Sequence, residues 1–123
     1  MSYNKDEPKK IEVLFKELTS EDKQSFSKPI EELDIPKKPG VYIIYDLNNE
    51  VVHVGRTRTH TLTQRFTDHL RRKSSFTRNS HHKPKKLKPG YLFQCLTVES
   101  PRIRGLLEHY AQGRLCPEYF EGL

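Results

Sequence analysis

The stretch from Pro39 to His69 constrains this chain most, because its hydrophobic period changes partway along. Two short apolar runs, Val41–Tyr45 and Val51–Val54, flank the polar turn Leu47-Asn48-Asn49-Glu50. That pattern predicts a β-hairpin, with asparagine tolerating the backbone angles the turn demands. Beyond Gly55, Leu62, Phe66 and Leu70 recur at i, i+4 and i+8, which predicts a helix started by Thr59 or Thr61. Arg65 and His69 sit four residues apart on one face of that helix, beside its apolar stripe. The hairpin offers Tyr42 and His53. A phenol, two imidazoles and a guanidinium can therefore converge, and such a set suits phosphodiester chemistry.

The rest of the chain supplies a frame for that stretch. Tyr91–Val98 is apolar on both faces and predicts a buried strand. Ser100-Pro101 opens a helix whose core face is Ile103, Leu106, Leu107 and Tyr110, with Gly113 as its stop. At 123 residues, 33% hydrophobic and without tryptophan, the chain has material for one domain with a modest core. The expected fold is α/β, a small three-stranded antiparallel sheet flanked by helices. Residues 1–36 read as an N-terminal extension that packs on the domain or is partly disordered, and residues 37–123 as the domain itself. Within the extension, Ile11–Phe15 suits a strand or a first helical turn, and Thr19-Ser20-Glu21-Asp22 reads as a helix start.

Charge points towards a polyanion. Lys plus Arg outnumber Asp plus Glu by 22 to 16, giving a net charge of +6. Between Arg71 and Gly90 the cations Arg71, Arg72, Lys73, Arg78, Lys83, Lys85, Lys86 and Lys88 meet no acidic residue. The segment continues directly from the Arg65/His69 helix, which favours nucleic-acid contact over a solvated charged face. Arg72, Lys73, Arg78, Lys83, Lys85 and Lys86, with Arg56 and Arg58 after the hairpin, are the candidate nucleic-acid contacts. No apolar run is long enough for a membrane span or a signal-peptide core. Cys95 and Cys116 lack metal-site spacing, so a zinc site joining Cys116 to His81 and His82 is disfavoured. Reduced thiols and a cytoplasmic location are expected.

Four ordered motifs resemble the GIY-YIG nuclease family. Gly40-Val41-Tyr42 is followed after ten residues by His53-Val54-Gly55, like the family's paired motif. Gln64-Arg65-Phe66-Thr67-Asp68-His69 is similar to its Arg-x-x-x-His helix, and Leu107-Glu108-His109-Tyr110 to the helix carrying its metal-binding glutamate. The chain departs twice: His53 stands where the second motif has tyrosine, and Phe120 where a closing asparagine is usual. The resemblance implies a metal-dependent endonuclease using Mg²⁺ or Mn²⁺. It implies Tyr42, His53, Arg65, His69 and Glu108 as catalytic residues, Glu108 as the metal ligand and DNA as substrate, with RNA an alternative. In that scheme the nearby cations lower the Tyr42 phenol pKa, and Tyr42 or His69 takes the proton from water.

Each residue also has a plainer reading. Tyr42 and Tyr45 suit strand packing, His53 a satisfied sheet histidine, and Arg65 and His69 a snorkelling helix edge. By spacing alone Glu108 is an i, i+4 partner for Arg104, and only the resemblance makes it a metal ligand. A catalytically weakened module that binds nucleic acid without cutting is the alternative function. A third possibility is an interaction protein whose basic segment docks an acidic partner. With no separate recognition domain, specificity would come from the basic segment, the extension, a protein partner or self-association.

Overall fold

The computed structural model describes residues 5–26, 29–70 and 90–120. Helix α1 (Glu7–Ser20) is followed by the two-residue strand β1 (Gln24–Ser25), a 3-10 turn (Ile30–Glu32), strands β2 (Gly40–Tyr45) and β3 (Val51–Arg56), and helix α2 (Leu62–Leu70). Strand β4 (Leu92–Thr97) and helix α3 (Pro101–Leu115) complete the described elements. The sheet is antiparallel throughout, in the order β1-β4-β2-β3.

Among the described residues it has four strands where the sequence predicts three. The fourth, β1, is polar and without alternation, and exists because its backbone pairs Gln24 with Phe93 and Ser25 with Leu92 along the β4 edge. The predicted hairpin forms, but β3 runs on to Arg56. Its turn is held by Asp46, whose Oδ1 accepts from the Asn48 and Glu50 amides, while Asn49 takes the left-handed φ of 62°.

Strand β2 is buried along its whole length because the sheet is covered on both sides. Val41, Ile43 and Tyr45 pack with Ile11 and Leu18 of α1 and Ile103, Leu107 and Ala111 of α3. Tyr42 and Ile44 point the other way, into a cluster with Leu62 and Phe66 of α2, Phe93 and Phe26. The period-2 alternation thus sends Tyr42 towards α2, where Arg65 and His69 wait.

Two helix boundaries differ from expectation. Thr19-Ser20 ends a helix rather than starting one, and Ile11–Phe15 lies within it. Gln94 of β4 explains the ending: its Nε2 donates to Thr19 O at 3.0 Å and Glu21 O at 2.8 Å, satisfying carbonyls a helix end leaves open. Helix α3 passes Gly113 and stops at Leu115, where Cys116 adopts φ 47° as its left-handed cap. The predicted caps hold at Ser100, which accepts from Ile103 N at 3.3 Å, and at Thr61, which accepts from Gln64 N at 3.2 Å.

Among the described residues, no helix is long and apolar enough to cross a membrane.

Candidate active site

Tyr42 is the hub of the site. Its phenol oxygen lies 2.7 Å from His69 Nε2 and 3.3 Å from His53 Nε2, and accepts from Arg65 Nε at 3.2 Å. A phenol has one proton. The assignment that satisfies all three contacts gives that proton to the nearer His69 and has His53 donate to the phenol oxygen. Gly55 makes the convergence sterically feasible. It pairs with Tyr42 across the hairpin, and a Cβ there would overlap the phenol oxygen and lie 2.9 Å from His53 Nε2.

Burial sets the charge state of this hub. Tyr42 and His69 are fully buried, and His53 is 7% exposed. Desolvation pushes the Tyr42 phenol up to about 12, outweighing the Arg65 cation that pulls it down. The lowered phenol pKa expected from the sequence is therefore reversed. Desolvation, then the Arg65 charge, brings His53 down to about 3, and His69 is held well below its usual value by burial, His53 and Arg65. All three rings are neutral near pH 7.

Beside the hub lies a polar cavity of about 190 Å³ along β3, an edge strand of the described sheet. His53, Val54, Gly55, Arg56, Arg58, Arg65, Glu108, Gln112 and Tyr119 line it. Arg65 comes from the helix on one face of the sheet and Glu108 from the helix on the other, so the cavity wraps the sheet edge. Of the five predicted catalytic residues, His53, Arg65 and Glu108 reach it, whereas Tyr42 and His69 lie beneath. The single groove lined by all five does not form, because Tyr42 and His69 belong to the core on the α2 side.

Glu108 does not pair with Arg104. Arg104 is buried and its Nη1 donates to Thr57 O at 2.9 Å and to Arg58 O at 3.3 Å, bracing the loop after β3. Glu108 instead accepts from Arg56 Nη1 at 2.9 Å. Burial raises the Glu108 carboxyl pKa, while Arg56, His109, Arg58 and Arg65 draw it back down.

Three participants went unread in the sequence. Tyr119 stacks edge-on against His53 with ring centroids 5.4 Å apart, and its amide donates to Val52 O at 2.9 Å. Gln112 donates to Val54 O at 3.3 Å, tying α3 to the cavity wall. The Arg56–Glu108 pair joins residues too distant in sequence for any local period to link. Phe120 is 40% exposed and lines a separate apolar pocket with His109 and Pro117. Of the candidate nucleic-acid contacts, Arg56 and Arg58 line the cavity. Arg72, Lys73, Arg78, Lys83, Lys85 and Lys86 lie outside the described residues, as do His81 and His82 of the disfavoured zinc site.

Whether a divalent cation suits this site turns on Glu108. Among the described residues, no three His, Cys, Asp or Glu side chains cluster as a metal cage. Mg²⁺ needs none, since it commonly keeps several waters and takes one or two carboxylates with substrate oxygens. One carboxylate facing a polar cavity fits that requirement.

A covered antiparallel sheet whose edge gathers arginines, an imidazole and a carboxylate suits a nuclease-type α/β domain. A family model described as the GIY-YIG catalytic domain matches residues 38–110, and the chain belongs to this family of endonuclease domains. Among solved structures, it is similar to the magnesium-bound GIY-YIG N-terminal endonuclease domain of UvrC from Thermotoga maritima. That match has a TM-score of 0.51 and 17% identity over 96% of this chain and 99% of the other. A point mutant of the same domain, bound to its catalytic divalent cation, matches at TM-score 0.52 and 17% identity, covering 96% and 99%. At such identity the likeness speaks for the fold. No curated protein matches the chain by sequence.

Proposed function

We propose that the chain is a divalent-metal-dependent endonuclease hydrolysing phosphodiester bonds in DNA. The observation that carries this reading is the meeting of Arg65, His53 and Glu108 on one polar cavity, with Tyr42 fastened to Arg65 behind it. A phosphodiester resists attack because its charge repels hydroxide and its leaving alkoxide is poor, so positioned cations and a proton acceptor are the parts required. The catalytic set is Tyr42, His53, Arg65, His69 and Glu108.

Arg65 holds the scissile phosphate. Its Nε is committed to Tyr42, which fixes the guanidinium plane and leaves the outer nitrogens for phosphate oxygens. Arg58, on the same cavity, adds a second cation. His53 is the neutral imidazole at the cavity wall, and with Nε2 donating to Tyr42 its Nδ1 is the proton acceptor for attacking water. Burial and Arg65 depress its basicity. A phosphodiester anion seated on Arg65 offsets that cation, so the imidazole gains proton affinity as substrate docks. Tyr42 stays a neutral phenol and can pass a proton on to His69. Glu108 would hold Mg²⁺ or Mn²⁺, which supplies charge stabilisation for the leaving oxygen. The magnesium in the Thermotoga domain supports that choice of ion.

Residues 37–123 form the catalytic domain in this reading. Residues 1–36 are an extension built onto it, supported by Ile11 and Leu18 in the core and the two-pronged Arg102–Glu7 pair at 2.8 and 3.0 Å. Arg72, Lys73, Arg78, Lys83, Lys85 and Lys86 extend the nucleic-acid contact begun by Arg56 and Arg58, and the protein works in the cytoplasm.

One observation favours a second reading, a module that binds nucleic acid without cutting: Arg56 already sits on the proposed metal ligand. Nicking of supercoiled plasmid with Mg²⁺, lost in Glu108→Ala, tests the first reading. Salt-sensitive binding with no nicking would favour the second.

A further inference from the structure

We propose that Arg56 is a built-in occupant of the Glu108 carboxylate that an arriving divalent cation displaces, releasing its guanidinium to a substrate phosphate. Cation binding and nucleic-acid binding are then coupled through one side chain. The inference rests on the reading of Glu108 as a cation ligand given above.

The first observation is the pair itself. Arg56 Nη1 lies 2.9 Å from Glu108 Oε1, with the two side chains only 17% and 14% exposed. A pair so enclosed is less screened than one on open surface. A divalent cation coordinated by the same carboxylate would stand against the guanidinium, and two like charges there repel. The carboxylate therefore serves Arg56 or the cation in turn.

The second observation is Gly105, three residues before Glu108 on α3. A Cβ at this position would lie 3.0 Å from Arg56 Nη1 and 3.5 Å from Cζ. Glycine inside a helix weakens it, and here it leaves room for the guanidinium to cross the helix surface to Glu108. The seat is made from both elements.

The third is what surrounds a displaced Arg56. It lines the same cavity as Arg58 and Arg65, so its fork stays among groups suited to phosphate. By linkage, a cation that frees Arg56 tightens nucleic-acid binding, and nucleic acid tightens cation binding by the same factor.

Mn²⁺ titrations of the full chain, following free Mn²⁺ by electron paramagnetic resonance, test the displacement. Arg56→Gln is expected to bind Mn²⁺ about fivefold more tightly than wild type. Gly105→Ala keeps every charge and only crowds the fork, so it shifts affinity in the same direction by less, and it decides the question if Arg56→Gln folds poorly. Glu108→Gln should lose the site. For the coupling, fluorescence anisotropy of a duplex oligonucleotide is compared in Ca²⁺ and in EDTA at matched ionic strength. Wild type should gain about fivefold in affinity from Ca²⁺, and Arg56→Gln should not. Unchanged or weaker Mn²⁺ binding in both variants, with Glu108→Gln inactive for binding, overturns the displacement while leaving Glu108 as ligand. A Ca²⁺ gain that survives Arg56→Gln overturns the coupling. Full Mn²⁺ binding by Glu108→Gln removes the reading of Glu108 and the proposal together.

Discussion

Tyr42 and Gly55 face each other across the hairpin, and the phenol occupies the space a side chain at position 55 would fill. The hydrogen bonds to His53, His69 and Arg65 all meet at that phenol. Gly55→Ala should therefore push Tyr42 out of register with its partners. Overpacking of this kind costs about 1–3 kcal/mol. Thermal melting should show that loss, accompanied by weaker cleavage. A variant as stable and active as wild type would mean that the hub tolerates a displaced phenol.

The buried imidazoles make stability depend on pH in a definite direction. His53 is depressed to about 3 and His69 lies well below its usual range, whereas both titrate near 6.5 once unfolded. Below about pH 6.5 the unfolded chain binds protons that the folded chain refuses, so stability falls as pH drops. The full stabilisation is present above that range. Each imidazole contributes a slope of up to about 1.4 kcal/mol per pH unit. Denaturant midpoints between pH 4 and 8 should show the decline, and a double replacement of His53 and His69 should flatten it.

Much of this architecture was written in local pattern. The hairpin, the helix at Leu62 and the strand before α3 were legible because each carries its own hydrophobic period. Strand β1 was not, since Gln24 and Ser25 become a strand only by borrowing the β4 edge. Arg104 misled for the converse reason. Its spacing to Glu108 suits a helical ion pair, yet Arg104 turns inward to the loop carbonyls while Glu108 reaches Arg56. Ordered motifs brought together the residues of the hub. The depth of burial that leaves Tyr42 a neutral phenol depends on Phe66 packing edge-on against it, with Phe93 and Phe26 packed in turn on Phe66, a tertiary fact no spacing encodes.

His53 stands at the cavity wall beside the Tyr42 phenol, and a pH–rate profile addresses its role. If the imidazole takes the proton, kcat/KM should keep its acid limb well below pH 6.5, since burial and Arg65 hold the free-enzyme value down. The limb for kcat should lie higher, because bound phosphate offsets Arg65. His53→Tyr should retain cleavage, and His53→Ala should lose about 100-fold or more. Three overlaid profiles would make His53 a packing residue and move the proton to Tyr42 or His69.

Salt dependence reports on the basic segment between Arg71 and Lys88. Replacing Lys83, Lys85 and Lys86 with glutamine should flatten the plot of log affinity against log salt by up to about three units for duplex DNA. An unchanged slope would make the segment a solvated charged face.

The most direct test of the central claim is nicking of supercoiled plasmid in Mg²⁺, run on wild type, Arg65→Ala and Glu108→Ala with DNA binding measured alongside. The account predicts nicking by wild type that EDTA abolishes, and a fall of 100-fold or more, about 3 kcal/mol, in both variants. Binding by Glu108→Ala should persist. Equal nicking by wild type and Glu108→Ala, or wild-type binding with no nicking at all, would contradict it.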